Sequence, residues 1–133
     1  MTAANVSFVQ SLYAAFGRGE IGLVVAGMAP DVDWQVIGRK EDYPCFGAWK
    51  GQKAVGDFFR LVGETEEAIE FTPRDFYATG EQVFVLGHYK WTIRKTGKKV
   101  STDWMHVFTV KNGKVSAFRE FTDTAQFASA YKG

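Results

Sequence analysis

The sequence predicts an α+β fold, with an antiparallel sheet and its helices segregated to one side. Three observations carry this reading. Apolar residues recur at helical spacing between Val6 and Val62, interrupted by one strand-like stretch. From Ile69 to Thr122 the chain is dominated by β-branched and aromatic runs broken at short turns. Asn112-Gly113 lies between two such runs, the strongest short-range hairpin signal a sequence offers.

The first helix rests on Val6, Phe8, Val9, Leu12, Tyr13 and Phe16, and Gly17-Arg18-Gly19-Glu20 ends it. Ile21, Val24, Val25 and Met28 continue with helical period in a short second helix, closed by Pro30-Asp31. Asp33 to Ile37 reads as a strand with Trp34 and Val36 on one face. Gly38 to Lys50 is irregular and carries Tyr43, Pro44, Phe46 and Trp49, which suits a flap over the core edge or a lid on a pocket. Gln52 to Val62 is a third helix with Val55, Phe58, Phe59 and Val62 on one side. Ile69 to Phe76 begins the sheet, and Pro73 there requires an edge strand or a bulge. Val83–Arg94, Val100–Val110 and Val115–Thr122 follow as strands. Asp123 caps a last helix that turns Phe127 and Tyr131 inward.

The totals bound the function. A chain of 133 residues suits a single domain spanning 1–133. Apolar residues are 46% and charged residues 23%, a globular balance. A net charge of +1 gives no broad footprint for nucleic acid or anionic membrane. The single Cys45 forms no intrachain disulfide and builds no zinc site alone. No signal peptide and no membrane-length apolar run is visible, so a cytoplasmic protein is expected. No glycine pattern matches a dinucleotide or phosphate loop, two histidines without an acidic cluster argue against a metal, and no cofactor is expected.

Two ionisable residues, His106 and Glu120, sit among residues suited to a core: Trp104, Phe108, Val110, Phe118 and Phe121. Burying an unpaired charge is costly, so such groups are paired, neutral or functional. A two-residue loop at Asn112-Gly113 pairs Lys111 with Lys114, sets His106 opposite Arg119 and sends Glu120 to the other face. A three-residue loop pairs Val110 with Lys114 and sets His106 opposite Phe118, diagonal to Glu120 on one face. Hydrophobicity leaves both open, because Phe118 and Phe121 favour different faces.

The chain order resembles the nuclear transport factor 2-like fold, a cystatin-like cone. Within it, Pro30-Asp31-Val32-Asp33-Trp34, Gly87-His88-Tyr89, His106-Val107-Phe108-Thr109-Val110, Gly113-Lys114-Val115 and Phe121-Thr122-Asp123-Thr124 resemble the SnoaL-like polyketide cyclases and their ketosteroid isomerase relatives. The resemblance implies a curved sheet wrapped around the N-terminal helices, an apolar pocket, and homodimerisation through the outer sheet face. Ketosteroid isomerase uses a tyrosine and an aspartate where this sequence carries Leu12 and Val36, which disfavours that mechanism. Tyr13, turned about 100° from Leu12, reads as packed helix face rather than an oxyanion donor. In SnoaL-type cyclases a histidine and an aspartate stand at the interval of His106 and Glu120, and the resemblance favours the three-residue loop.

Under that register the inner face carries Trp104, His106, Phe108, Phe118 and Glu120, joined by Phe84, Leu86, His88, Trp34 and Val36, with Phe58 from the third helix. The outer face then holds Val85, Tyr89, Trp91, Ile93, Met105 and Val107, apolar enough to need a cover. Glu120 and His106 are the candidate catalytic pair, against the plainer reading of a buried ion pair. Trp34, Val36, Phe58, Leu86, His88, Trp104, Phe108 and Phe118 are the candidate ligand contacts. Two functions fit: cofactor-independent proton transfer on a small carbonyl compound, or binding of a small apolar or polycyclic molecule without chemistry. Epoxide hydrolysis would need Asp75, Asp103 and Arg119 together in the pocket, and nothing in the sequence unites them.

Overall fold

The structure, a computed structural model, describes residues 2–133. Val9, Leu12 and Ala15 recur every three residues and form the buried stripe of α1 (Thr2–Gly17). A connector with Gly19 at φ 76°, a conformation glycine adopts without steric penalty, leads to the short α2 (Ile21–Ala26). Then come β1 (Met28–Val36), β2 (Gly47–Lys50), α3 (Gly51–Thr65), β3 (Glu66–Thr79), β4 (Gln82–Ile93), β5 (Lys99–Lys111), β6 (Lys114–Phe121) and α4 (Thr124–Lys132). The six strands form one curved, unclosed sheet in the order β2-β1-β6-β5-β4-β3. No helix among the described residues is long and apolar enough to cross a membrane.

The α+β expectation holds, with local departures. Gly47–Lys50 is a strand and not loop, paired antiparallel to β1 with Trp49 opposite Trp34. The first strand begins at Met28 and passes through Pro30, aided by a register shift between Met28 and Asp33. The ladder between β1 and β6 is parallel, and the other four are antiparallel. Across it Trp34 stacks on Phe118 with centroids 3.7 Å apart, worth roughly 1 kcal/mol beyond the area buried. Pro73 meets both of its requirements, since β3 is an edge strand and its register shifts between Pro73 and Asp75. Asp123 caps α4, its Oδ1 accepting from the Gln126 backbone N–H at 3.2 Å.

The decisive hairpin follows neither expected register. Its turn is the two-residue form, Lys111 opposite Lys114, with Asn112 at φ 51° and Gly113 at φ 73°. Both residues are left-handed, as a type I′ turn demands. Val110 then faces Val115, but Thr109 faces Ala117, which leaves Ser116 as an extra residue in β6. The Ser116 hydroxyl donates to the Thr109 carbonyl at 3.3 Å across this bulge. Beyond it, His106 lies directly opposite Glu120 and Phe108 opposite Phe118. The three-residue loop is therefore corrected, while the shared face it implied is reached by the bulge.

The face of β4 is also corrected. Val85 pairs with His106, so Val83, Val85, Tyr89, Trp91 and Ile93 point inward and are buried. Phe84, Leu86 and His88 alternate to the outside. Between them Gly87 is buried beneath Trp104. A Cβ there would overlap the indole and stand 2.6 Å from the Thr72 carbonyl oxygen, so no side chain fits.

Candidate active site

The inward residues of β1, β3, β4, β5 and β6, with the four helices and the 37–46 segment, line a cavity of about 90 Å³. That is room for several water-sized groups, or about one small ring. Its walls are Leu12, Phe16, Met28, Trp34, Val36, Phe46, Phe58, Phe108, Phe118 and further apolar side chains. The polar groups on it are few: Tyr13, Tyr43, Cys45, Glu66, Tyr89, His106 and Glu120, with two tryptophan indoles. An apolar hollow with a few converging polar groups is the usual form of a small-molecule site. A broader hollow shares Tyr13, Phe16, Phe59, Val62, Glu66, Phe71 and Trp91 with it and extends past Gly17, Gly63 and Arg94. It lies at the ends of α1 and α3 and adjoins the cavity through those shared residues.

His106 stands at the centre. It is 4% exposed, and Trp104 backs it with ring centroids 3.9 Å apart. Its Nε2 lies 2.9 Å from Glu120 Oε1, and its Nδ1 lies 2.6 Å from the Tyr13 hydroxyl. Burial, and then the charge of Glu120, pushes Tyr13 well above the usual phenol range, so it keeps its proton. One assignment satisfies every group: Tyr13 O–H donates to Nδ1, and Nε2–H donates to Glu120. The other carboxylate oxygen, Oε2, accepts from Tyr89 O–H at 3.0 Å. The Thr122 hydroxyl, 2.7 Å away, supports Tyr89. Burial and then Glu120 hold the Tyr89 phenol high as well. The result is a fixed carboxylate on an apolar cavity, gripped from two sides by donors.

A second carboxyl shares the cavity. Glu66 is 6% exposed, and its Oε1 accepts from Tyr43 O–H at 3.0 Å. Burial raises its pKa to about 8, the Tyr43 hydrogen bond opposes this, and Glu120 adds to it. The Cys45 thiol is pushed up to about 12, by burial first and then by Glu66, which leaves it unreactive. Among the described residues no cluster of His, Cys, Asp or Glu is placed to hold a metal ion.

Of the residues singled out from sequence, Trp34, Val36, Phe58, His106, Phe108, Phe118 and Glu120 line the cavity. Trp104 does not touch it and instead fixes the imidazole from behind. Leu86 and His88 are corrected: Leu86 is 39% exposed on the outer face. His88 there bridges Asp103 at 2.9 Å and Ser101 at 3.1 Å. That trio resembles a nucleophile-base-acid arrangement only on paper. It has no place in the cavity, and the Ser101 backbone N–H, the obvious oxyanion donor, is committed to Gln126. Arg119 pairs with Asp33 at 2.9 Å, so the residues considered for epoxide hydrolysis do not converge.

A sequence model of the SnoaL-like domain matches residues 9–118. The chain belongs to the SnoaL-like family. No curated protein sequence matches it. Solved structures resemble this SnoaL-like chain over nearly its whole length. An NTF2-like protein from Burkholderia xenovorans is 31% identical, covering 98% of both chains with a TM-score of 0.89. Another from Burkholderia thailandensis is 30% identical over 98% of this chain and 97% of its own, with a TM-score of 0.86. TerC, co-crystallised with polyporic acid, is 25% identical over 97% of this chain and 98% of its own, with a TM-score of 0.85.

Sequence reasoning missed Glu66 in this SnoaL-like site and set Tyr89 on the outer face, while it named Tyr43 only as part of a flap or lid and Tyr13 only as packed helix face. Tyr89 had a signal: Val83, Val85, Tyr89, Trp91 and Ile93 share one parity. Tyr13 points inward because the cavity is wide enough to take two neighbouring positions of α1, Leu12 and Tyr13. Glu66 sat in a charged run, Glu64-Thr65-Glu66-Glu67, which looks like solvated surface.

Proposed function

We propose that this SnoaL-like protein binds a small, mostly apolar carbonyl compound and moves a proton on it without a cofactor, in the manner of a cyclase or isomerase. The observation that carries the reading is the Glu120 carboxylate on an aromatic cavity wall, hydrogen-bonded to buried His106. Glu120 takes a proton from the carbon next to the carbonyl. The C–H electron pair becomes the C=C bond of an enolate, and the carbonyl π pair moves onto oxygen. Return of the proton to a different carbon isomerises the compound. Alternatively the enolate carbon attacks a second carbonyl and closes a ring, the attacked C=O π pair moving onto its oxygen, which takes the proton back from Glu120. His106 and Tyr89 orient the base through its two oxygens, and Tyr13 fixes the imidazole tautomer. The structural likeness to TerC with polyporic acid supports a small-molecule ligand.

Acetophenone in heavy water tests this, because it is a single-ring ketone whose methyl protons exchange only through the enolate. The wild-type chain is expected to catalyse that exchange, read by proton NMR. Glu120→Gln is expected to lower it by about 10²- to 10⁴-fold, the usual contribution of a positioned base. Undiminished exchange in the variant, or none in the wild type, rules the base out, and saturable binding without exchange leaves a ligand-binding protein.

The assembly proposed is a homodimer through the outer sheet face. Its apolar content differs from the sequence expectation: Val85, Tyr89, Trp91 and Ile93 face inward. Leu86 at 39% exposure and Phe121 at 42% remain outside, with Met105 and Val107 half-buried beside them. Sedimentation is expected to give twice the chain mass, and a Leu86→Glu, Phe121→Glu variant to sediment as a monomer. A wild-type chain that sediments as a monomer contradicts the proposal.

A further inference from the structure

The cavity holds a carboxyl group that the proton-transfer step above leaves without a task. Glu66 opens β3 and lies opposite Ile93 on the inward face. Its side chain lines both the cavity and the adjoining hollow. Tyr43 donates to Oε1, while among the described residues Oε2 has no hydrogen-bond partner and no cation forms a salt bridge to it. A buried carboxyl without a cation holds its proton and becomes a donor.

We propose that Glu66, steadied by Tyr43, donates a hydrogen bond to the carbonyl oxygen of the bound compound while Glu120 works on the adjacent carbon. This rests on the proton-transfer reading. It gives the carbonyl oxygen of that ligand a partner on the protein.

The chemistry needs both groups. When Glu120 removes the proton, negative charge collects on the carbonyl oxygen, and a donor placed there before the reaction stabilises it without reorganisation. If the proton follows, the Glu66 O–H bond breaks, an enol O–H forms, and Glu66 becomes a carboxylate. The reverse transfer restores it, so no other reagent is consumed. Two carboxyl groups in one cavity divide the roles of acid and base when their surroundings separate them. Here Glu120 has two donors on its oxygens, whereas Glu66 has one donor and deep burial.

The groups facing Glu66 agree with this. Tyr43 and Cys45 come from the 37–46 segment, Tyr89 from β4 and Glu120 from β6. None is a cation. Arg94, in the adjoining hollow, donates its Nε–H to the Gly63 carbonyl at 3.0 Å. It forms no salt bridge with Glu66.

The test uses acetophenone labelled with carbon-13 at its carbonyl and reads the C=O stretch by infrared difference spectroscopy. In the wild-type chain the bound stretch is expected to move to lower frequency, saturably, and the shift to fade as pH rises through about 8. Glu66→Gln, whose amide still donates, is expected to keep a shift that no longer depends on pH there. Glu66→Met, similar in length and without a donor, is expected to lose it. No saturable shift in the wild type, or an equal shift in Glu66→Met, overturns the proposal. Methyl exchange is scored in the same samples. Exchange without the shift removes Glu66 alone, and the shift without exchange removes the base role of Glu120 alone.

Discussion

Glu66→Gln is expected to be more stable than the parent chain above about pH 8, by an amount on the order of 5 kcal/mol, and to lose that advantage on acidification. Below about pH 4.5 the folded and unfolded chains both hold the Glu66 proton. Between about 4.5 and 8 only the folded chain holds it, so each added pH unit costs the fold about 1.4 kcal/mol. Above about 8 neither state holds it, and the loss is complete. Glutamine has nearly the same shape and never ionises, so the variant lacks this slope. Urea unfolding of both proteins at pH values on either side of the interval measures the effect. Parallel stability profiles would mean that Glu66 reaches water or a counter-charge in the fold.

Breaking the His106–Glu120 pair from one side is expected to cost about 3 kcal/mol, near the lower end for a buried pair because Glu120 retains some solvent access. Glu120→Leu leaves the imidazole Nε2–H without its acceptor, while Tyr89 keeps Thr122. His106→Phe leaves the carboxylate with Tyr89 as its remaining donor and frees the Tyr13 hydroxyl. The double variant replaces both with apolar groups among aromatic walls. It is expected to lose less than the two single losses together, by roughly 1–3 kcal/mol of coupling. Chemical denaturation of the three variants closes the cycle. Additive losses would show that the two side chains are energetically independent despite their contact.

Most elements of the fold were legible because each wrote its own period into the chain. The four-residue β2 was too short to do so, and the start of β1 at Met28 continued the apolar spacing of α2. The register was not legible, because it depends on Ser116. Val115 and Phe118 are both buried although three residues apart, a spacing that straight alternation cannot give. That odd spacing was the available signal of a bulge. The face of β4 was ambiguous because Phe84 and Leu86 carry apolar side chains outward while Val83, Val85, Tyr89 and Trp91 carry them inward. His106 and Glu120 could be found, since an ionisable group between core aromatics is conspicuous. Glu66 could not, because its burial is created by distant neighbours: Tyr43 across the cavity wall and the strand beside it.

The parallel ladder of β1 with β6 joins strands from opposite ends of the chain, Val36 beside Glu120 and Trp34 beside Phe118. Hairpins can form early from neighbours in sequence, but this seam must wait for a long loop to close. The hollow therefore depends on a contact made between distant parts of the chain. A ribosome-bound chain that has not yet released its final strand lacks Phe118 and Glu120, and with them one wall of the chamber.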